Sequence, residues 1–293
     1  ATLHVMSHVV HYGSSVFEGI RCYDTPNGGA VFRLREHIRR LLDSARIYRM
    51  PLRYTLDELV QATLDTVAAN DLRECYLRPL VLRTGQQMGF YPVGVPVECF
   101  IIAYKWPTYL GAEALEKGVD VCVSSWRRAA PDTFPTMAKA GGNYLNSQLS
   151  KLEAKQNHYA EGIMLDSFGF VAEGSGENLF LVRDGVFYTA GISSGILNGI
   201  TRDTVMTIAR DLGYEVREQQ IPREMLYIAD ELFFTGTAAE LTPIRSVDQV
   251  EIGSGKPGEI TRKIQSEFLG IAKGRIADRF DWLTPVPSAA LSR

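Results

Sequence analysis

The sequence predicts an α+β protein of two domains, and three observations carry that prediction. At 293 residues the chain is long for one core, since single hydrophobic cores stop growing near ~250–300 residues. Strand-like and helix-like segments are interspersed, yet no β-α-β series opens with a G-x-G-x-x-G turn, which argues against a dinucleotide-binding fold. Between Trp106 and Gly118 the breakers Pro107, Gly111 and Gly118 interrupt the pattern. The expected division is a small N-terminal domain over 1–106, an interdomain loop over 107–118 and a large C-terminal domain over 119–293.

Taken in order, the run Ala-Val-Phe-Arg-Leu over 30–34 reads as a short strand. Over 36–48 the apolar positions Ile38, Leu41, Leu42, Ala45 and Ile47 approximate helical spacing, and Pro51 stops the run. Thr55 with Glu58 three residues on is a capping-box pattern, followed by Leu59, Val60, Thr63, Leu64 and Val67 on one helical face. Residues 76–83 and 97–104 read as strands, separated by a Gly/Pro-punctuated loop over 85–96. Past the boundary, 119–125 is a strand and 144–156 a helix. Strands are expected again over 162–166 and 178–182, the latter running into the turn Arg183-Asp184-Gly185. Residues 201–212 form an amphipathic helix with Val205, Ile208, Ala209 and Leu212 on one face and Gly213 at its C-terminal end. Residues 231–235 read as a buried strand ending in Gly236-Thr237.

The bulk composition narrows the function. With 31 basic and 34 acidic residues the net charge is −3, and no concentrated basic face suggests a nucleic-acid partner. Cys22, Cys75, Cys99 and Cys122 lie far apart, without C-x-x-C or zinc-type spacing, so four buried thiols in a reducing compartment are expected rather than a metal site. No apolar run approaches the ~20 residues that span a bilayer. The opening Ala1-Thr2-Leu3-His4 shows no positive region followed by an apolar stretch. A cytoplasmic location is the expectation.

Four segments carry candidate chemistry. Lys139 lies in T-M-A-K-A-G-G-N-Y over 136–144, among small and apolar neighbours. Desolvating an ammonium costs free energy, so such a lysine is either a surface residue of a Gly-rich loop or a nucleophilic amine. In V-A-E-G-S-G-E-N-L-F over 171–180, Glu173 and Glu177 occupy a turn between apolar strands. A surface turn explains them, as does a carboxylate held beside a protonated ring nitrogen. The turn Leu197-Asn198-Gly199 opens a helix at Ile200-Thr201, where backbone N–H groups, a hydroxyl and the helix dipole suit a phosphate. Small residues after the last strand, in F-T-G-T-A-A-E-L-T-P over 234–243, leave amides exposed to a second anion.

Together, K-A-G-G-N-Y, E-G-S-G-E-N-L-F, G-I-T-R and G-T-A-A-E-L-T-P in this order resemble the branched-chain aminotransferases of the fold-type IV pyridoxal-phosphate class. So does the start, His11-Tyr12-Gly13 with Val16-Phe17-Glu18-Gly19-Ile20-Arg21. The resemblance runs from about His4 to Trp282. It implies a smaller N-terminal α/β domain and a larger C-terminal domain with a pseudo-barrel β core. It implies pyridoxal 5′-phosphate bound as a Schiff base to Lys139, which then moves the proton between the substrate Cα and the cofactor's C4′. Glu173 would pair with the pyridine nitrogen and Tyr144 with the phenolic oxygen. Arg40, Ile200, Thr201 and Thr237 would bind the phosphate, the H-x-x-R-L spacing selecting Arg40 over Arg39.

For substrate, the resemblance implies a pocket lined by Phe17, Tyr76, Trp106, Tyr109 and Tyr144. Arg78 and the Tyr12 hydroxyl would receive the side-chain carboxylate of glutamate, and the Thr237 and Ala238 amides the α-carboxylate. Side-chain alternation places Tyr76 and Arg78 on one side of a strand, as a shared pocket requires. The expected reaction is ping-pong transamination between L-Leu, L-Ile or L-Val and 2-oxoglutarate, by a homodimer or a dimer-based assembly up to a hexamer. Tyr76-Leu77-Arg78 and Gly236–Glu240 follow the branched-chain pattern where D-amino acid aminotransferases, (R)-amine transaminases and aminodeoxychorismate lyases differ. Those activities, and a non-catalytic binding protein, are the alternatives.

Overall fold

The computed structural model describes residues 1–106 and 109–287. Pro107 and Thr108 of the expected interdomain loop, and residues 288–293 of the expected C-terminal domain, lie outside the described residues. In chain order the first elements are α1 (His8–Tyr12), β1 (Ser15–Phe17), β2 (Ile20–Thr25), β3 (Gly28–Phe32), α2 (Leu34–Ile47), α3 (Leu56–Ala69), β4 (Cys75–Arg83) and β5 (Val97–Tyr104). Next come α4 (Ala112–Lys117), β6 (Val119–Val123), α5 (Tyr144–Gln156), β7 (Glu161–Leu165), β8 (Val171–Gly174), β9 (Asn178–Arg183) and β10 (Val186–Thr189). The last are α6 (Ile200–Asp211), β11 (Val216–Glu218), β12 (Glu231–Gly236), β13 (Glu240–Val247), β14 (Val250–Glu251), α7 (Glu259–Ala272) and β15 (Leu283–Pro285). Among the described residues no helix is long and apolar enough to cross a membrane.

The chain divides into two compact units. The first comprises Ala1–Trp106, Ala138–Tyr144 and the segment from Ala272 onward. Its sheet runs β1-β4-β2-β3-β15, with β5 on the other edge of β4. β4 and β5 pair antiparallel from Tyr76↔Tyr104 to Arg83↔Val97. Helix α2 buries Leu34, Ile38, Leu41 and Ala45, one face at helical spacing. Helix α3 starts with the anticipated capping box, in which Thr55 Oγ1 accepts the Glu58 N–H and Glu58 accepts the Thr55 N–H. The expected strand over 30–34 is displaced: Arg33 takes a left-handed φ of 51° and Leu34 already begins α2.

Two segments that the sequence division placed in the C-terminal domain belong to this first unit. Over 138–144 the backbone is tied to α2 and β1: the Lys139 carbonyl accepts the Phe17 N–H at 3.0 Å, and the Lys139 N–H donates to Ser44 Oγ at 3.0 Å. Near the C-terminus β15 adds to β3, and Trp282 packs edge-on against Phe32. Hydrogen bonds to residues more than 90 positions away leave no local trace in a sequence pattern.

The second unit comprises Pro107–Met137 and Leu145–Ile271. Its sheet order is β11-β10-β9-β12-β13-β6-β7-β8, and β8 also pairs with β9. The six strands from β9 to β8 therefore close into a barrel, with β6 parallel to both neighbours and the remaining pairs antiparallel. Closure rests on one residue pair, Glu173↔Asn178. Ile163, Val121, Leu181, Val247, Leu226 and Phe234 are among the fully covered side chains of the core. Each contributes about 1.5–3 kcal/mol by leaving water. Of the four thiols, Cys22, Cys75 and Cys122 are buried as expected, while Cys99 is partly exposed.

Candidate active site

In the first unit the expected residues converge on Lys139. Gly141–Asn143 form a tight turn leading into α5, so the chain doubles back within five residues and places Lys139 Nζ 2.6 Å from the Tyr144 hydroxyl. A Cβ on Gly141 would press on Ser15 Oγ, which would have to shift. The Lys139 ammonium also stands 5.1 Å from the ring centre of Phe17, which packs on Tyr144. From β4, the Arg78 guanidinium stands over the Phe17 ring, 4.4 Å from its centre, and 5.6 Å from that of Tyr76, so Tyr76 and Arg78 do share a face. Tyr76 in turn meets Trp106 at 4.5 Å. Arg78 Nε is buried with no hydrogen-bond partner among the described residues, a feature that a bound acceptor would relieve.

Tyr12 is not brought to Arg78. Its hydroxyl accepts the Gly89 N–H at 3.1 Å and its ring packs on Phe90.

Arg40, which the H-x-x-R-L spacing selected, is half-buried on α2, whereas Arg39 is exposed. Its Nε and Nη2 donate to the two oxygens of Glu18 at 2.7 and 2.9 Å. His37, one turn earlier, lies 2.7 Å from the same carboxylate through Nδ1. Glu18 is fully buried. Burial alone raises its carboxyl, but the Arg40 guanidinium and the His37 bond outweigh burial and hold it well below the usual carboxylate range. Burial pushes His37 down against the pull of Glu18, so the ring is neutral and donates its Nδ1–H. Glu18 and His37 stood inside quoted motifs without a role. The signal for them is a charged residue between Phe17 and Gly19 on an otherwise apolar strand end, which implies a buried partner.

In the second unit Glu173 occupies the barrel-closing pair. Its Oε2 accepts the Asn178 amide at 2.9 Å and the Leu197 N–H at 3.1 Å, and its Oε1 lies 3.0 Å from Arg128 Nε. Both members of the ion pair are buried. An acceptor-only carboxylate is satisfied by such a set of donors. Arg128 also reaches the Gly195 carbonyl, which pins the loop before α6. Arg128 was missed by the sequence reading, and nothing local distinguishes it from Arg127.

Helix α6 begins at Ile200 with Gly199 at its cap, a residue that has no side chain to bond the first turn. A Cβ on Gly199 would strike the Asn178 side chain that holds Glu173. Thr201 is buried, and Arg202, almost wholly enclosed, anchors the first turn through the Ala190 carbonyl at 2.8 Å and Glu218 at 2.7 Å. Thr237 and Ala238 lie on the bend between β12 and β13, after Thr235, whose buried hydroxyl has no partner among the described residues. The Ala238 carbonyl accepts the Tyr109 N–H at 3.5 Å. Each unit thus presents polar groups arranged for a ligand. The first offers an amine beside a phenol, and the second offers a fixed carboxylate and a helix start with glycine at its cap.

Comparison with known proteins gives this geometry a family. Residues 15–247 match the Amino-transferase class IV family. The chain is 53% identical over 289 residues to a branched-chain-amino-acid aminotransferase of Salmonella typhimurium, covering 98% of this chain and 94% of that protein. It is 46% identical over 286 residues to that of Pseudomonas aeruginosa, covering 98% and 93%. Among solved structures, the Escherichia coli branched-chain amino acid aminotransferase superposes with a TM-score of 0.95 at 52% identity, over 98% of this chain and 95% of that one. The branched-chain amino acid aminotransferase of Thermobaculum terrenum, solved in its pyridoxal-phosphate form, gives a TM-score of 0.91 at 41% identity, over 98% and 94%. The chain belongs to the class IV amino-transferases, within the branched-chain-amino-acid aminotransferase family.

Proposed function

We propose that the protein exchanges amino groups between branched-chain L-amino acids and 2-oxoglutarate with pyridoxal 5′-phosphate. The observation that carries this reading is the amine of Lys139 held 2.6 Å from the Tyr144 hydroxyl, inside the segment K-A-G-G-N-Y. The residues fit the cofactor. Glu173 is a buried carboxylate for a protonated pyridine nitrogen, and Gly199 leaves the start of α6 without a side-chain cap, as a phosphate needs.

When bound, pyridoxal phosphate supplies an aldehyde for amine exchange and a ring that accepts the electrons released at Cα. Lys139 Nζ would hold the aldehyde, then take the Cα proton as a free amine and deliver it to C4′. Tyr144 would hold the phenolic oxygen and Glu173 the protonated ring nitrogen. Arg40 would bind the phosphate as a cation, with Ile200 and Thr201 at the helix start and Thr237 beside them. Phe17, Tyr76, Trp106 and Tyr109 would exclude water and hold the aliphatic side chain. Arg78 would receive the glutamate carboxylate. The Tyr12 hydroxyl would share in that recognition. A cytoplasmic homodimer, or an assembly built from dimers, is part of the same reading.

A half-reaction screen tests it. Purified protein loaded with pyridoxal phosphate should change its visible absorbance with L-Leu, L-Ile, L-Val and L-Glu, and recover it with 2-oxoglutarate. A response to D-Ala or (R)-1-phenylethylamine without one to L-Leu would overturn the specificity. No response to any amine would overturn the activity.

A further inference from the structure

Two thiols face each other across the sheet of the first unit. In the pairing of β2 with β4, Cys22 stands directly opposite Cys75. Opposed residues of an antiparallel pair point to one face with Cα atoms about 4.5 or 5.5 Å apart, and a disulfide spans either distance. Both thiols are free, and both lie in one buried cluster with Ile20 and Leu77, on the face that α2 and α3 cover. Tyr76, between Cys75 and Leu77, points to the other face with Arg78, so the thiol pair stands apart from the residues around Lys139.

The cover over the pair is thin. Cys75 opens β4 directly after a turn in which Asp71 has a left-handed φ of 50° and Arg73 and Glu74 are exposed. Cys22 Sγ lies 3.5 Å from the Arg73 carbonyl, so the backbone of that exposed turn rests against the thiol. Exposed turns open locally at lower cost than the strands they join. Bonding between the two thiols pushes Cys22 up and holds Cys75 below the usual thiol value, against burial and the charge of Glu74. Burial pushes Cys99 and Cys122 up to about 11, which keeps them protonated and slow to react.

We propose that Cys22 and Cys75 form a reversible oxidation site, closed to a disulfide by a hydroperoxide and reopened by a dithiol. With hydrogen peroxide, the Cys75 thiolate attacks one oxygen. An S–O bond forms, the O–O bond breaks, and the departing hydroxide takes a proton to become water. The Cys22 sulfur then attacks that of Cys75. An S–S bond forms, the S–O bond breaks, and the second hydroxide leaves as water with the Cys22 proton. The electrons lost by the two sulfurs are those that reduce the peroxide.

The test treats reduced holoenzyme with hydrogen peroxide, quenches it, and counts thiols after unfolding. The count should fall from four to two and return to four with dithiothreitol. Peptide mapping should place the link between Cys22 and Cys75 of one chain, with Cys99 and Cys122 still reduced. Cys22→Ala should leave Cys75 as a sulfenic acid that dimedone captures, and Cys75→Ala should leave Cys22 unlabelled. The mapping of the parent stands by itself if either variant fails to fold. No loss of thiols, loss confined to Cys99 or Cys122, a link between two chains, or oxidation of Cys75 to sulfinic acid without a link would overturn the proposal. None of these readouts uses turnover, so the result is independent of the function proposed above.

Discussion

Lys139 Nζ and the Tyr144 hydroxyl are 2.6 Å apart because Gly141-Gly142-Asn143 turns the chain tightly enough for a loop residue and the first residue of α5 to meet. In the proposed function this amine carries the proton. Lys139→Ala should lower kcat for L-Leu and 2-oxoglutarate by about 10³-fold or more, with an unchanged circular dichroism spectrum. Tyr144→Phe should cost roughly ten- to a hundredfold. If Lys139→Ala kept a tenth of the parent turnover, Lys139 would not be the proton carrier.

The buried pair Arg128–Glu173 predicts a stability effect separable from activity. Removing one partner strands a charge in the core, so Arg128→Met should destabilise by roughly 3–5 kcal/mol in urea unfolding. Adding Glu173→Gln removes the stranded charge and should recover at least half of that loss, while turnover falls further because Glu173 is the carboxylate proposed for the ring nitrogen. A double variant no more stable than Arg128→Met would show that the two side chains do not interact as a pair.

Glu18 and His37 predict lability to acid. Both bind protons more weakly in the folded chain than in the unfolded one, so their stabilisation is complete at high pH and lost as pH falls. For His37 the loss begins below its ordinary value of 6.5, and for Glu18 below 4.5. The Glu18 contribution should therefore be lost below pH 4.5, where thermal midpoints decline; between 4.5 and 6.5 the His37 contribution is opposed by that of Glu177. Glu18→Gln should lower the midpoint at pH 7, at a cost of roughly 3–5 kcal/mol, since Arg40 and His37 lose their buried acceptor. It should also flatten the decline below 4.5. Parallel curves for parent and variant would exclude Glu18 as the source.

Glu177 has the opposite sign. Its folded carboxyl is pushed up to about 8 from 4.5, so the native state keeps a proton that the unfolded chain releases over that interval. Stability then falls as pH climbs from 4.5 to 8, and the penalty is complete above 8. Glu177→Gln should match the parent near pH 4.5 and melt higher at pH 9, by roughly 5 °C. A midpoint difference that does not change with pH would refute the assignment.

Much of the local architecture was legible in advance. The capping box of Thr55 and Glu58, strand β5 and helix α5 have the expected bounds, because each is set by signals a few residues apart: a side-chain cap, a two-residue alternation, a run without breakers. The segments that hold Lys139, Glu173 and the start of α6 were legible as the motifs of the family the chain belongs to. The sequence could not say which charges would be taken out of water. Glu18 meets Arg40 across 22 positions, and Arg128, in the segment after β6, meets Glu173 on β8. Nor could it show that residues 138–144 pack with the first unit rather than the second. Periodicity and capping act through neighbouring backbone and are written in order along the chain. The strength of an ion pair and the membership of a core depend on which distant surfaces exclude solvent together, and only the folded chain decides that.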